Sequence, residues 1–200
     1  MRKLQRPSTP PQFDEHAEKW TTQWLNLRKQ NPRGFAWYTI EGRTARNWAL
    51  PVLLSMTQGH CSFCDAFPLE DRMKIPVEHF RPKTHDEFAH LAFEWTNLYY
   101  CYSYCQSEKR DQWEDGLIGP DEPDYEFQRY FVFDYTNGSI LPSPMGLHLG
   151  QARAEITIRL FGLDSVARCQ HRMLEFRKFS DAVSREINDW AYRDYLESSA

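Results

Sequence analysis

The chain has no uninterrupted apolar run of about 18 residues, so nothing in it has the length of a membrane-spanning helix. The opening Met1-Arg2-Lys3-Leu4-Gln5-Arg6-Pro7 runs into proline and polar residues and has little apolar character, and the expectation is a soluble, cytoplasmic protein. Five cysteines are an odd number, which argues against a disulfide framework and favours metal ligation or plain thiols. There is no basic excess. The formal charge of −4 removes the simplest argument for nucleic-acid binding and leaves a local basic groove as the remaining route. No internal repeat is present.

What the sequence does hold is apolar and aromatic mass. At 200 residues, 41% hydrophobic and 15% aromatic, with seven tryptophans, it is long enough and apolar enough for one globular domain with a substantial core. Residues 1–12, with Pro7, Pro10 and Pro11, read as an extended arm. Trp20, Trp24 and Leu27 recur at helical spacing within residues 13–29, and a second helix is predicted over 44–57, stopped at Gly59. Cys, His, Tyr and Trp then concentrate in residues 60–115. From Glu108 to Glu126 eight acidic residues stand against Lys109 and Arg110, which predicts a linker turned away from phosphates. Residues 130–135 have strand composition and Asn137-Gly138 supplies a hairpin turn into Ile140-Leu141. One helix is predicted around Ile156, Leu160 and Leu163, and a second, long one over 166–196. Segment 151–178 sets six basic side chains against three acidic ones, which suits a nucleic-acid or partner surface and a solvated helix face equally. The predicted class is α+β: an irregular centre (60–115) between an N-terminal arm with helices (1–59) and an acidic linker, hairpin and C-terminal helices (116–200).

The central segment carries the chemistry. Cys61-Ser62-Phe63-Cys64 places two thiols on one turn, Cys101 and Cys105 offer a second pair, and four sulfurs would close a tetrahedral structural Zn²⁺ site. Free cysteine also packs as a small apolar side chain, so buried thiols are the alternative. Cys169 reads as a core or surface thiol. Between the pairs lies Val77-Glu78-His79-Phe80-Arg81-Pro82-Lys83. Glu78 offers a carboxylate to a hard divalent ion, and His79 an imidazole that can take a proton from water. Arg81 and Lys83 add charge that would grip phosphate or simply be solvated. Asn97 follows His79 by 18 residues, and Gln106 follows Asn97 by nine. His60, His85 and His90 read as polar loop residues, and Tyr99, Tyr100, Tyr102 and Tyr104 as core packing.

These residues resemble the HNH endonucleases of the ββα-metal class, and more narrowly the Septu-type HNH nucleases of bacterial antiphage systems, some retron-associated, that act beside an ABC-type ATPase. The resemblance rests on the opening Met-Arg-Lys-Leu-Gln-Arg-Pro with Pro10-Pro11, the Cys61/Cys64 pair, the run from Val77 to Lys83, Glu94-Trp95-Thr96-Asn97-Leu98, and Cys105 with Lys109. Residues 116–124 and 156–172 extend it over most of the chain.

The resemblance implies a small zinc-stabilised ββα-metal core flanked by helices. It makes His79 the general base, Glu78 a ligand of catalytic Mg²⁺ or Mn²⁺, and Asn97 the residue that steadies the His79 loop. Gln106 stands where the family has Asn or His as a further ligand, and Tyr102 stands where its second cysteine pair begins, with Cys101 one position earlier. Cys61, Cys64, Cys101 and Cys105 would hold structural zinc, and Arg81, Lys83 and Lys109 would contact nucleic acid. The expected activity is phosphodiester hydrolysis, with DNA as substrate. RNA cleavage and a non-catalytic zinc-stabilised adaptor are the competing readings.

Overall fold

The computed structural model describes residues 1–68, 76–182 and 186–198. Helix α1 (Pro11–Arg28) begins with proline at its first position, where a missing N–H leaves no hydrogen bond unmade, and buries Phe13, Trp20 and Trp24 on one face. Strands β1 (Thr39–Ile40) and β2 (Arg43–Thr44) form a minimal hairpin whose two turn residues, Glu41 and Gly42, both have positive φ. Helix α2 (Ala45–Thr57) is capped by the Thr44 hydroxyl, which accepts from Asn47 N, and it ends where Gln58 and Gly59 turn left-handed.

Strand β3 (Val77–His79) pairs antiparallel with β4 (Leu98–Tyr100), in the register Val77 to Tyr100, Glu78 to Tyr99 and His79 to Leu98. Helix α3 (Ser103–Lys109) follows directly. The alternation of a strand then divides the molecule. Val77, Leu98 and Tyr100 join a core with the aromatics of α1 and the apolar face of α2. Tyr99 joins a second core with the cysteines and the C-terminal elements.

After α4 (Phe127–Tyr130), β5 (Phe131–Asp134) and β6 (Ser139–Pro142) pair antiparallel, as the Asn-Gly turn predicts. Helices α5 (Leu147–Leu160), α6 (Val166–Asp181) and the short α7 (Arg193–Glu197) complete the chain. The chain is thus mixed α+β, with small two-stranded sheets. No helix among the described residues is long and apolar enough to cross a membrane.

Three expectations need correction. The single helix over 166–196 ends at Asp181, where Ala182 turns extended; Val183 lies outside the described residues. Tertiary packing overrides its periodicity: Tyr192 adopts a left-handed conformation, which brings Tyr195 into the core and Arg193 onto the buried Asp65 carboxylate at 2.6 Å. The arm is tucked in, since Met1 and Leu4 are buried, the Tyr125 hydroxyl donates to Met1 O, and Arg6 donates to Trp95 O and Leu98 O. The acidic segment is no free linker either. Leu117, Ile118 and Tyr125 are core residues, and its carboxylates meet the basic helix: Glu122 pairs with Arg153 and Glu114 with Arg159, both at 2.7 Å.

Candidate functional site

Glu78 and His79 are consecutive on β3, so their side chains leave on opposite faces of the sheet. Glu78 faces α3. Lys109 Nζ donates to its Oε1 at 2.8 Å, and Gln106 Nε2 donates to Oε2 at 3.0 Å. Lys109 is fully buried and also donates to His79 O at 3.2 Å. Burial pushes the Glu78 carboxyl up, and the Lys109 ammonium opposes that shift.

His79 faces the aromatic layer of the N-terminal core. Its ring stacks on Trp37 at 5.3 Å between centroids and meets Phe35 edge-on. Nε2 lies 3.0 Å from Ala92 O. A carbonyl can only accept, so Nε2 carries the proton and Nδ1 keeps the lone pair. Lys83 Nζ donates to that lone pair at 3.3 Å while its ammonium sits over the Phe35 ring. Burial first, and then the Lys83 charge, hold the imidazole well below its ordinary value, so it is neutral at pH 7.

Asn97 holds the loop that leaves β3. Its Oδ1 accepts from Arg81 N at 2.7 Å, while Nδ2 donates to Arg81 O and Leu91 O, both at 3.0 Å. One amide thus fastens the chain after His79 to the turn before β4. Arg28, at the end of α1, ties the same loop down through Thr84 O at 2.8 Å.

A cleft of about 310 Å³ gathers Glu78, His79, Lys83, Thr84, Gln106, Arg110 and Asp111. It brings together four of the residues singled out from the sequence and leaves out two of the three expected phosphate contacts. Lys109 lies beneath the cleft, fully buried and held on Glu78, so it cannot grip a backbone. Arg81 stacks over Trp113 at 5.2 Å and lines a different cleft, with Glu94, Asp121 and Glu122. Lys83 is the one of the three at the His79 cleft.

The cysteines form the second cluster. The sulfurs of Cys61, Cys101 and Cys105 lie within 4.8 Å of one another, all buried, and this group could hold a metal ion such as zinc. Cys101 takes part although it is displaced by one position: it is the buried residue just before the N-cap of α3, and Tyr102, exposed, occupies the N-cap itself. Cys64, expected as the fourth ligand, falls outside this group. Its thiol is buried, which pushes it up, and the charge of the Arg168 guanidinium opposes that shift. Burial raises the Cys101 and Cys105 thiols, whereas at Cys61 hydrogen bonds from its cysteine neighbours outweigh burial and bring it well down. Tyr102 N donates to Cys61 Sγ at 3.3 Å.

His60 sits in the bend after α2, as a loop residue should, but it is fully buried, with its two ring nitrogens 3.0 Å from Gln58 O and Trp190 O. The residues that sequence reading missed are Phe35, Trp37 and Arg168. The two aromatics follow the break after α1 with no periodicity to mark them, and Arg168 lay within a basic count that gave no hint of burial. No family model matches the chain, and no curated protein matches it.

Proposed function

We propose that this chain is a metal-dependent HNH endonuclease that hydrolyses phosphodiester bonds of nucleic acid, with DNA as substrate, as the effector of a bacterial antiphage system with an ATPase partner. One observation carries the reading. A neutral His79, its tautomer fixed by Ala92 O, shares a cleft with Glu78, Gln106 and Lys83 on a β–β–α unit whose connecting loop is fastened by Asn97.

Glu78 is the buried carboxylate of the cleft, and Gln106 keeps Oε1 without a hydrogen-bond partner among the described residues. No group of three His, Cys, Asp or Glu ligands converges here among the described residues. That set suits Mg²⁺ or Mn²⁺, which keep most of their waters and take one or two protein oxygens with substrate phosphate. Such an ion, bound at Glu78 and Gln106, would stabilise charge on the leaving oxygen.

The chain's own residues do the rest. A phosphate oxygen is a stronger acceptor for an ammonium than an imidazole nitrogen, so substrate draws Lys83 off His79 and frees Nδ1. His79 Nδ1 then takes the proton of the attacking water. Lys109 holds Glu78 in place, and Asn97 fixes the direction of the imidazole by fixing its loop.

The test compares wild type with His79→Ala on supercoiled plasmid, single-stranded DNA and structured RNA in Mg²⁺ or Mn²⁺. Proton transfer of this kind contributes roughly 10² to 10⁴ in rate, so the variant should lose cleavage by that factor with its metal content unchanged. Undiminished cleavage by His79→Ala overturns the assignment. Cleavage of RNA alone replaces the substrate, and no cleavage by wild type with its ATPase partner present favours the adaptor reading.

A further inference from the structure

Arg168 is a buried guanidinium without a carboxylate. It lies on α6, is 5% exposed, and donates through Nη2 to Cys105 Sγ at 3.0 Å, 63 residues away in sequence. Its planar face rests over the Tyr104 ring at 4.7 Å. Among the described residues no Asp or Glu pairs with it, and its Nε and Nη1 are buried without hydrogen-bond partners. Burial opposes its charge, and Cys64, Cys105 and Cys61 are among the groups that favour it.

An arginine does not give up its proton in a protein, and a buried charge needs either an opposite charge or a full set of acceptors, which Arg168 lacks. Neutral thiols do not supply it; thiolates do. A Zn²⁺ ion with three thiolates carries a net −1, and with four a net −2, in a site closed to water. A guanidinium against one sulfur reduces that excess and, through its N–H···S bond, fixes where the sulfur points.

We infer that Arg168 is the outer counter-ion of the cysteine metal site, positioning Cys105 and balancing its thiolate, so that zinc binding and the docking of α6 are one coupled event. The inference rests on reading Cys61, Cys101 and Cys105 as zinc ligands. The sulfurs come from residues 61–64 and 101–105, whereas the charge that balances them comes from the C-terminal helices. Metal loss therefore removes the anionic complex that Arg168 faces and loosens α6.

The experiment uses the full chain as wild type, Arg168→Met, Arg168→Lys and, as a control on the same helix, Arg172→Met. Arg172 is equally buried, but it donates to the carbonyls of Gly138 and Leu163 and to Cys169 instead of the cluster. Zinc content is measured by elemental analysis, zinc affinity by competition with a chromophoric chelator, and α6 docking by amide hydrogen exchange. Loss of an outer-shell partner typically costs roughly 10- to 100-fold in metal affinity, so Arg168→Met should fall by that factor, Arg168→Lys should recover part of it, and Arg172→Met should stay near wild type. Exchange in α6 should rise when wild type is stripped of zinc, and should already be raised in Arg168→Met. Zinc affinity within twofold of wild type in Arg168→Met, or in Arg168→Lys if the methionine variant does not fold, overturns the role of Arg168. A wild-type chain that carries no zinc and takes none up overturns the zinc reading itself, and this inference with it.

Discussion

The Glu78 cleft and the cysteine cluster share one short helix. From α3, Gln106 and Lys109 reach the carboxylate while Cys105 joins the sulfurs. The two clusters differ in access and in charge. The cleft opens to solvent, and its buried carboxylate already has a buried ammonium at 2.8 Å. The sulfur group is closed, and the guanidinium that meets it, Arg168, has no Asp or Glu partner among the described residues. A closed all-sulfur group suits a structural ion, and an open site with a neutral base and free amide oxygen suits chemistry. Loss of a sulfur should therefore damage folding, and loss of a cleft residue should damage reaction.

The sharpest way to break this contrast is Cys105→Ser. Structural zinc supplies on the order of 10 kcal/mol of binding free energy in small zinc domains, comparable with the whole stability of a typical fold at about 5–15 kcal/mol. The variant should lose its zinc and its cooperative thermal transition by circular dichroism, and a strong chelator should do the same to wild type. A wild-type melting curve in Cys105→Ser would mean that the sulfurs are ordinary core thiols.

Next in size is Lys109→Met. Removing one member of a fully buried ion pair leaves Glu78 uncompensated, which costs about 3–5 kcal/mol. Adding Glu78→Gln should restore part of that loss in urea denaturation, because the unpaired charge is then gone. If the double variant is no more stable than Lys109→Met, the two side chains are not coupled as their geometry requires.

A smaller effect belongs to pH. His79 is held below its ordinary value of 6.5 in the folded chain by burial and by Lys83, so the unfolded chain binds more protons at pH values beneath it. Stability should therefore fall as pH drops below 6.5, and His79→Gln should flatten that part of the curve. Cleavage should in turn hold its rate below pH 6.5, because the base stays neutral there.

Much of the fold was legible because its signals are local. Trp20 and Trp24 mark α1, Thr44 and Gly59 bound α2, and Asn137-Gly138 sets the β5–β6 turn. The Glu78, His79 and Asn97 candidates came from order alone, and the fold brings Glu78 and His79 to one cleft with Asn97 fastening the loop after His79. Illegible were the partnerships set by distant packing. Lys109 counted as a surface charge until β3 placed Glu78 over it, and the basic helix counted as a patch until Glu114 and Glu122 met it. Arg168 and Arg193 lie inside the protein because a cysteine cluster and Asp65 sit opposite, and no periodicity of their own segments encodes that.

The smallest expected effect separates the two basic residues of the Arg81-Pro82-Lys83 run, which sequence reading treated alike. Lys83 lines the cleft beside His79, so Lys83→Ala should weaken nucleic-acid binding and reduce its salt slope by roughly 0.9, the value of one phosphate contact. Arg81 lies over Trp113 and Phe88, at the acid-walled cleft on the other side of Asn97. Arg81→Ala should lose only a cation–π contact of about 0.5–1 kcal/mol, with the salt slope unchanged. Binding titrations at several salt concentrations decide between them. Equal slopes for the two variants would mean that nucleic acid covers both clefts, and that the Asn97 loop lies under the substrate and not beside it.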